Sequence, residues 1–153
     1  MHSIKSLFTG EHHRFIYALL FIILFTSCAT INSSNPNKRI RALKRVEDQK
    51  ALATLVLQDE SPLVRRAAMA YLSDQDIVAT VYSETSDDSV AMLCEQKLSD
   101  ADVLVGIAIQ ASDPNKREFS VARLEEKTAL KQVVERSKYT DTRSQAVTKI
   151  ADD

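Results

Sequence analysis

The stretch SPLVRRAAMAYLSDQ (residues 61–75) decides how this chain is read. Ser61 is a good amino-terminal helix cap, and Pro62 suits the first helical position, where its missing N–H costs nothing. Ala68 and Leu72 are four residues apart, so they share one helix face one turn from each other. Asp74, two residues later, is placed to end one helix and cap the next, where its charge also suits the positive helix end. A second apolar pair at spacing three follows, Val78 and Val81.

This pattern returns every 26 residues without an insertion. The aliphatic position reads Val46, Leu72, Leu98, Leu124, Ile150; the small one Ala42, Ala68, Cys94, Ser120, Ala146; the acid Asp48, Asp74, Asp100, Glu126, Asp152. A fourth column reads Arg39, Arg65, Ala91, Arg117, Arg143, and the three prolines, Pro36, Pro62 and Pro114, share one phase with Asp88 in the gap. The apolar pairs Leu52/Leu55, Leu104/Ile107 and Leu130/Val133 match Val78/Val81. A fixed period of 20 to 50 residues marks stacked repeats. Each unit reads as two helices of about ten residues, too short to be stable alone in water, so stacking must bury their faces. The fold expected over residues 35–153 is all-α: a solenoid of stacked antiparallel helix pairs, about four and a half repeats, with a last helix near 141–151 closing the stack.

Composition agrees. Only 2 Gly and 3 Pro in 153 residues leave few turn-formers for a hairpin-rich sheet. Lys and Arg (20) nearly balance Asp and Glu (21), which excludes a nucleic-acid binder working through an overall basic surface.

The runs RALKRVEDQ (41–49) and AAMAYLSDQ (67–75), with SPLVRRAA (61–68) entering the first helix, resemble bacterial HEAT-like repeats. The resemblance is clear over the first three units and weaker in the fourth, where Glu126-Lys127 replaces Asp-Gln and Phe119 takes over packing. It implies an α-solenoid used for protein–protein contact, with the second helices lining a concave face. It does not imply one activity.

The amino-terminal residues read as an address. Lys5 and Arg14 precede an apolar run, Phe15 to Phe25, which is shorter than the roughly 20 residues a spanning helix needs. LFTSC (24–28) then resembles the lipobox of bacterial lipoproteins, against the alternative of an uncleaved signal anchor with an incidental cysteine. The resemblance implies a signal peptide over 1–27, a diacylglycerol on Cys28, and a lipidated tether over 28–34. Ala29, rather than Asp, points to the outer membrane over the inner one. Cleavage would remove all three histidines (His2, His12, His13) and leave Cys94 beside an acylated Cys28, with no disulfide to form. The six tether residues after Cys28 reach at most about 20 Å, which keeps partners near the membrane.

Candidate sites were weighed against plainer roles. Cys94 sits in the small-residue column and is expected to be a buried, inert thiol rather than a redox centre. Asp87, Asp88, Asp100 and Asp102 lack the spacing of a calcium loop, and capping explains them. Arg39, Arg65, Arg117 and Arg143 are expected to form an inter-repeat ladder with acids such as Asp59 and Asp113. No serine has a histidine to activate it after cleavage. On the second helices, Leu57, Val105 and Ile109, with Gly106 beside them, either form an exposed apolar row that binds a partner or pack against the tether or a neighbouring helix. Gly106 itself is either room for that partner or a local weak point in its helix.

The sequence therefore predicts a lipid-anchored scaffold of the bacterial cell envelope that binds another envelope protein, without catalysis, cofactor, metal, nucleic acid or small-molecule substrate. Two other readings stand beside it: a HEAT-like enzyme resembling bilin lyases, and a purely structural envelope lipoprotein.

Overall fold

The computed structural model describes residues 31–152. The segment holding the apolar run and Cys28 lies outside the described residues. Within them the chain is helical, with no strand, and nine helices follow in order: α1 (Pro36–Leu43), α2 (Gln49–Gln58), α3 (Pro62–Tyr71), α4 (Gln75–Glu84), α5 (Asp88–Lys97), α6 (Ala101–Gln110), α7 (Pro114–Arg123), α8 (Lys127–Arg136) and α9 (Thr140–Asp152). First helices open at 36, 62, 88, 114 and 140 and second helices at 49, 75, 101 and 127, so the 26-residue period is kept in both registers. The helix expected near 141–151 is present as α9.

Side chains predicted as caps start most of these helices. Asn35, Asp48, Asp74, Asp87, Asp100 and Asp113 each accept a backbone N–H from the first turn of the helix they precede. Ser61 and Glu126 stand at the N-cap without such a bond. Ser61 instead donates its own N–H to Asp59 Oδ1 at 2.8 Å, so the preceding acid orders that turn.

The helices form two rows. First helices pack α1 on α3, α3 on α5 and α7 on α9; second helices pack α2 on α4, α4 on α6 and α6 on α8. The closest consecutive pairs are α2/α3, α4/α5, α6/α7 and α8/α9, so the tight antiparallel hairpin joins the second helix of one unit to the first helix of the next. Inside a unit, Leu72, Leu98 and Leu124 sit just past their helices in extended backbone and are buried in the common core. These three are at most 1% exposed, whereas Val46 and Ile150, in the outermost units, are only partly covered. Ala42, Ala68, Cys94, Ser120 and Ala146 are all buried, letting adjoining helices approach. One continuous core, from Leu43 to Ala146, runs the length of the stack. No helix among the described residues is long and apolar enough to cross a membrane.

Candidate partner-binding surface and the ladders that hold it

Three of the four arginines form the expected ladder, and all four share one contact. Each donates Nη1 to the carbonyl six residues upstream: Ser33 (2.6 Å), Asp59 (2.9 Å), Ala111 (3.1 Å) and Ser137 (2.7 Å). That carbonyl terminates the preceding helix or leader, so the guanidinium satisfies an orphan acceptor. The other edge of the guanidinium reaches the next unit. Arg39 grips Asp59 with Nε and Nη2 at 2.9 and 2.8 Å, and both side chains are nearly buried. Arg65 places Nε and Nη2 on Asp87 Oδ2 at 3.0 and 2.8 Å, and Arg117 reaches Thr142 Oγ1 and Asp141 Oδ2, both at 2.8 Å. Asp113, expected as a ladder partner, instead caps α7 through the Asn115 N–H at 2.9 Å. Arg143 ends on Thr140 Oγ1 at 3.2 Å, without a carboxylate among the described residues.

These contacts set the charge of the acids. The Arg65 hydrogen bond, helped by the Val90 and Ser89 N–H groups, holds the Asp87 carboxyl below the usual carboxylate range. Arg117 does the same for Asp141. Asp59, in turn, raises the Arg39 guanidinium above its ordinary value.

The column breaks at Ala91, and the repair comes from the next unit. Lys116 donates Nζ to Thr85 O at 3.2 Å, the carbonyl that an arginine at 91 would have taken, and to Ser83 O at 3.2 Å. Its ammonium lies 5.3 Å from the centre of the Tyr82 ring, which also meets Phe119 edge-on at 5.7 Å. Tyr82 donates its hydroxyl to Glu95 Oε1 at 2.7 Å; burial, and then that acid, raise the phenol well above its ordinary pKa.

A second ladder runs along the opposite turns. Gln49 accepts the N–H groups of Ser73 and Asp74 at 2.8 and 3.2 Å, and Gln75 accepts those of Ser99 and Asp100 at 3.0 and 3.3 Å. Lys97 donates to Leu72 O at 2.7 Å, Arg123 to Leu98 O at 3.3 Å, and Lys149 to Ala122 O, each cation capping the carbonyl end of the previous first helix. The signal for this ladder is in the sequence, because the column Arg45, Tyr71, Lys97, Arg123, Lys149 is basic in four of five units. It went unread because the aliphatic column next to it dominates the pattern.

The apolar row expected on the second helices is not an exposed surface. Val105 is 3% exposed, and Leu57 and Ile109 are partly covered by the core. The expected apolar pairs Val78/Val81, Leu104/Ile107 and Leu130/Val133 are buried, but the outward face lies one residue of phase, or 100° of rotation, from the expected row. In α2 the buried stripe is Leu52 and Val56, not Leu52 and Leu55, and in α4 it is Val78, Val81 and Tyr82. The face opposite that stripe therefore runs Lys50-Thr54-Gln58, Asp76-Thr80-Glu84 and Asp102-Gly106-Gln110, in which every residue but the half-buried Gly106 is exposed. Of the four residues singled out for partner binding, Gly106 alone lies on this face. α6 is apolar on its other sides, with Leu104, Val105, Ile107 and Ala108 buried, because it packs against α4, α7 and α8.

At Gly106 the face deepens into an open groove of about 570 Å³ between α4, α6 and the start of α7. Ala79, Thr80, Val103 and Ile107 line it together with Asp76, Glu84, Asp102 and Lys116. A Cβ built on Gly106 would meet nothing within 4 Å, so this glycine serves no close approach inside the protein.

Cys94 is fully buried against Met69, with Sγ 3.9 Å from Sδ, and burial pushes its thiol pKa up to about 12. It is an inert core thiol. No family model, curated protein or solved structure is significantly similar to this chain.

Proposed function

We propose that the chain is a lipid-anchored scaffold of the bacterial cell envelope, more specifically of the outer membrane, which holds another envelope protein on the outward face of its second helices and performs no chemistry itself. In this reading residues 1–27 are a signal peptide and Cys28 carries the lipid. What supports the anchor is the sequence LFTSC after an apolar run too short to span a bilayer. What supports the binding role is the second-helix face itself, in register over three units, with small or polar residues at its centre and a groove at Gly106. The observation that carries the reading is the open space at Gly106. A helix-weakening glycine stands there, although a side chain would meet no obstacle from within the fold. A bound partner that approaches the α6 backbone accounts for it.

What supports a membrane-near surface in this reading is the short tether. Arg39 holds the Ser33 carbonyl at 2.6 Å, so only residues 28–32 separate the proposed lipid from the first clamp of the repeat domain. The test is a photocrosslinking amino acid at Thr80 in intact cells, with one at Glu118 on the exposed side of α7 as a control. A discrete adduct from Thr80, absent from Glu118 and lost in Gly106→Phe, supports the reading. Absence of any adduct from the second-helix face, with the protein correctly localised, overturns it.

A further inference from the structure

The overall charge of −1 conceals two opposite halves. Residues 31–50 hold six bases against two acids, whereas residues 51–153 hold twelve bases against eighteen acids. Residues 31–50 are therefore +4 and residues 51–153 are −6. Of the six bases in residues 31–50, Arg39 is buried in the ladder, while Lys38, Arg41, Lys44, Arg45 and Lys50 are all exposed. None of these five pairs with a carboxylate among the described residues. Lys38, Arg41 and Arg45 follow one another at spacings of three and four, which makes a single stripe along and just beyond α1.

We propose that this stripe is a membrane-docking surface that binds the anionic phospholipid headgroups of the bilayer holding the chain. Position in the stack is the first argument. Lys38 occupies the phase that holds Val64 and Val90, both fully buried, in the next two units. α1 packs on α3, and its outer side is left to solvent. An outermost unit needs polar groups on such a side, but solubility alone would be met by mixed charge. The last described helix, α9, shows that alternative with two bases, Arg143 and Lys149, and two acids, Asp141 and Asp152. α1 and the turn after it, from Pro36 to Arg45, instead carry bases alone.

Chain order is the second argument, and it rests on the proposed membrane attachment. The apolar run ends at Phe25 and Cys28 follows, ten residues before Lys38. Clustered Lys and Arg beside a membrane attachment are drawn to anionic lipid, and the attraction fades within a Debye length of about 8–10 Å. The clamp of Arg39 on Ser33 leaves only residues 29–32 between Cys28 and the ordered start of α1. Docking through α1 would set the stack with its first unit on the bilayer and its acidic units, including the Gly106 groove, directed away from it.

The test uses the full chain, added to vesicles of phosphatidylcholine alone or with roughly a third phosphatidylglycerol. Flotation reads attachment. Amine labelling of Lys38, Lys44 and Lys50, measured against the exposed Lys131 and Lys138, reads docking. A second chain carries Lys38→Glu, Arg41→Glu, Lys44→Glu and Arg45→Glu, with its fold checked by circular dichroism. We expect flotation with both vesicles, and labelling of the three first-unit lysines slowed at least about fivefold only with phosphatidylglycerol and only at low salt. Flotation with both vesicles and no protection overturns docking and leaves the anchor standing. Flotation with the anionic vesicles alone, lost in the charge-reversed chain, upholds docking and overturns the anchor. Flotation with neither overturns both, and tighter binding to a duplex oligonucleotide than to the anionic vesicles overturns the choice of lipid.

Discussion

At the scale of single residues, a side chain's contribution depends on what its removal leaves behind. Arg39 and Asp59 are 7% and 5% exposed, so Arg39→Ala leaves a covered carboxylate with only the Ser61 N–H and is expected to cost more in chemical denaturation than the same change at Arg65. Arg65 and Asp87 are 22% and 24% exposed, and the same change there is expected to cost about 1 kcal/mol. Equal losses at the two sites would contradict the burial difference. Gly106 works the other way: with open space at its Cβ, Gly106→Ala is expected to raise stability by about 0.5–1 kcal/mol. The acids add a pH dependence whose sign follows from their direction of shift. Asp87 and Asp141 are lowered from 3.8 in the folded protein, so their stabilisation is complete above about pH 4 and is lost as pH falls through the lowered values. The melting temperature should fall on acidification below about pH 4, and less steeply in Arg65→Met than in the parent; an equal acid slope would remove Asp87 from the account.

At the scale of elements, the stack is made regular by contacts between units and made irregular where one of them is replaced. Lys116 stands in for the arginine missing at 91, which yields a paired test. Lys116→Ala leaves Thr85 O without its cation and is expected to cost about 1 kcal/mol. Ala91→Arg in that background should recover most of the loss, because the i−6 carbonyl is Thr85 and the acid at the spacing of the Arg65–Asp87 pair is Asp113. No recovery would mean that the carbonyl column is incidental. Helix limits were legible from the caps and prolines, since those residues act locally on their own turn. The partner face was not. The expected row through Leu57, Val105 and Ile109 lies one residue, or 100°, from the exposed face, and the second helices carry apolar residues on both flanks of the buried stripe, such as Leu55 and Leu57 in α2, so composition could not mark the outer side. Only the packing of α2 on both α3 and α4 does.

At the scale of the whole molecule, a repeat architecture is what a single sequence reveals best, because a self-comparison stands in for an alignment: five phases of Leu72 and Ala68 predict the buried spine that is found. The basic cluster of α1 has no such signature, because it does not recur: the phase of Lys38 reads Val64, Val90, Lys116 and Thr142 in the later units. The continuous core makes Cys94 a reporter of the entire stack. In the native protein at pH 8 a thiol reagent should leave it unmodified, since it is 0% exposed with a pKa near about 12, and modification should appear only with unfolding. Rapid native-state modification would show that the layers part locally. The lipid anchor, and with it the membrane-near place proposed for the scaffold, depends on how the amino terminus is processed. The intact mass of the protein isolated from membranes reads that directly. It should correspond to a chain beginning at Cys28 and carrying acyl chains on that residue; a mass that retains residues 1–27, or an unmodified Cys28, would contradict the account.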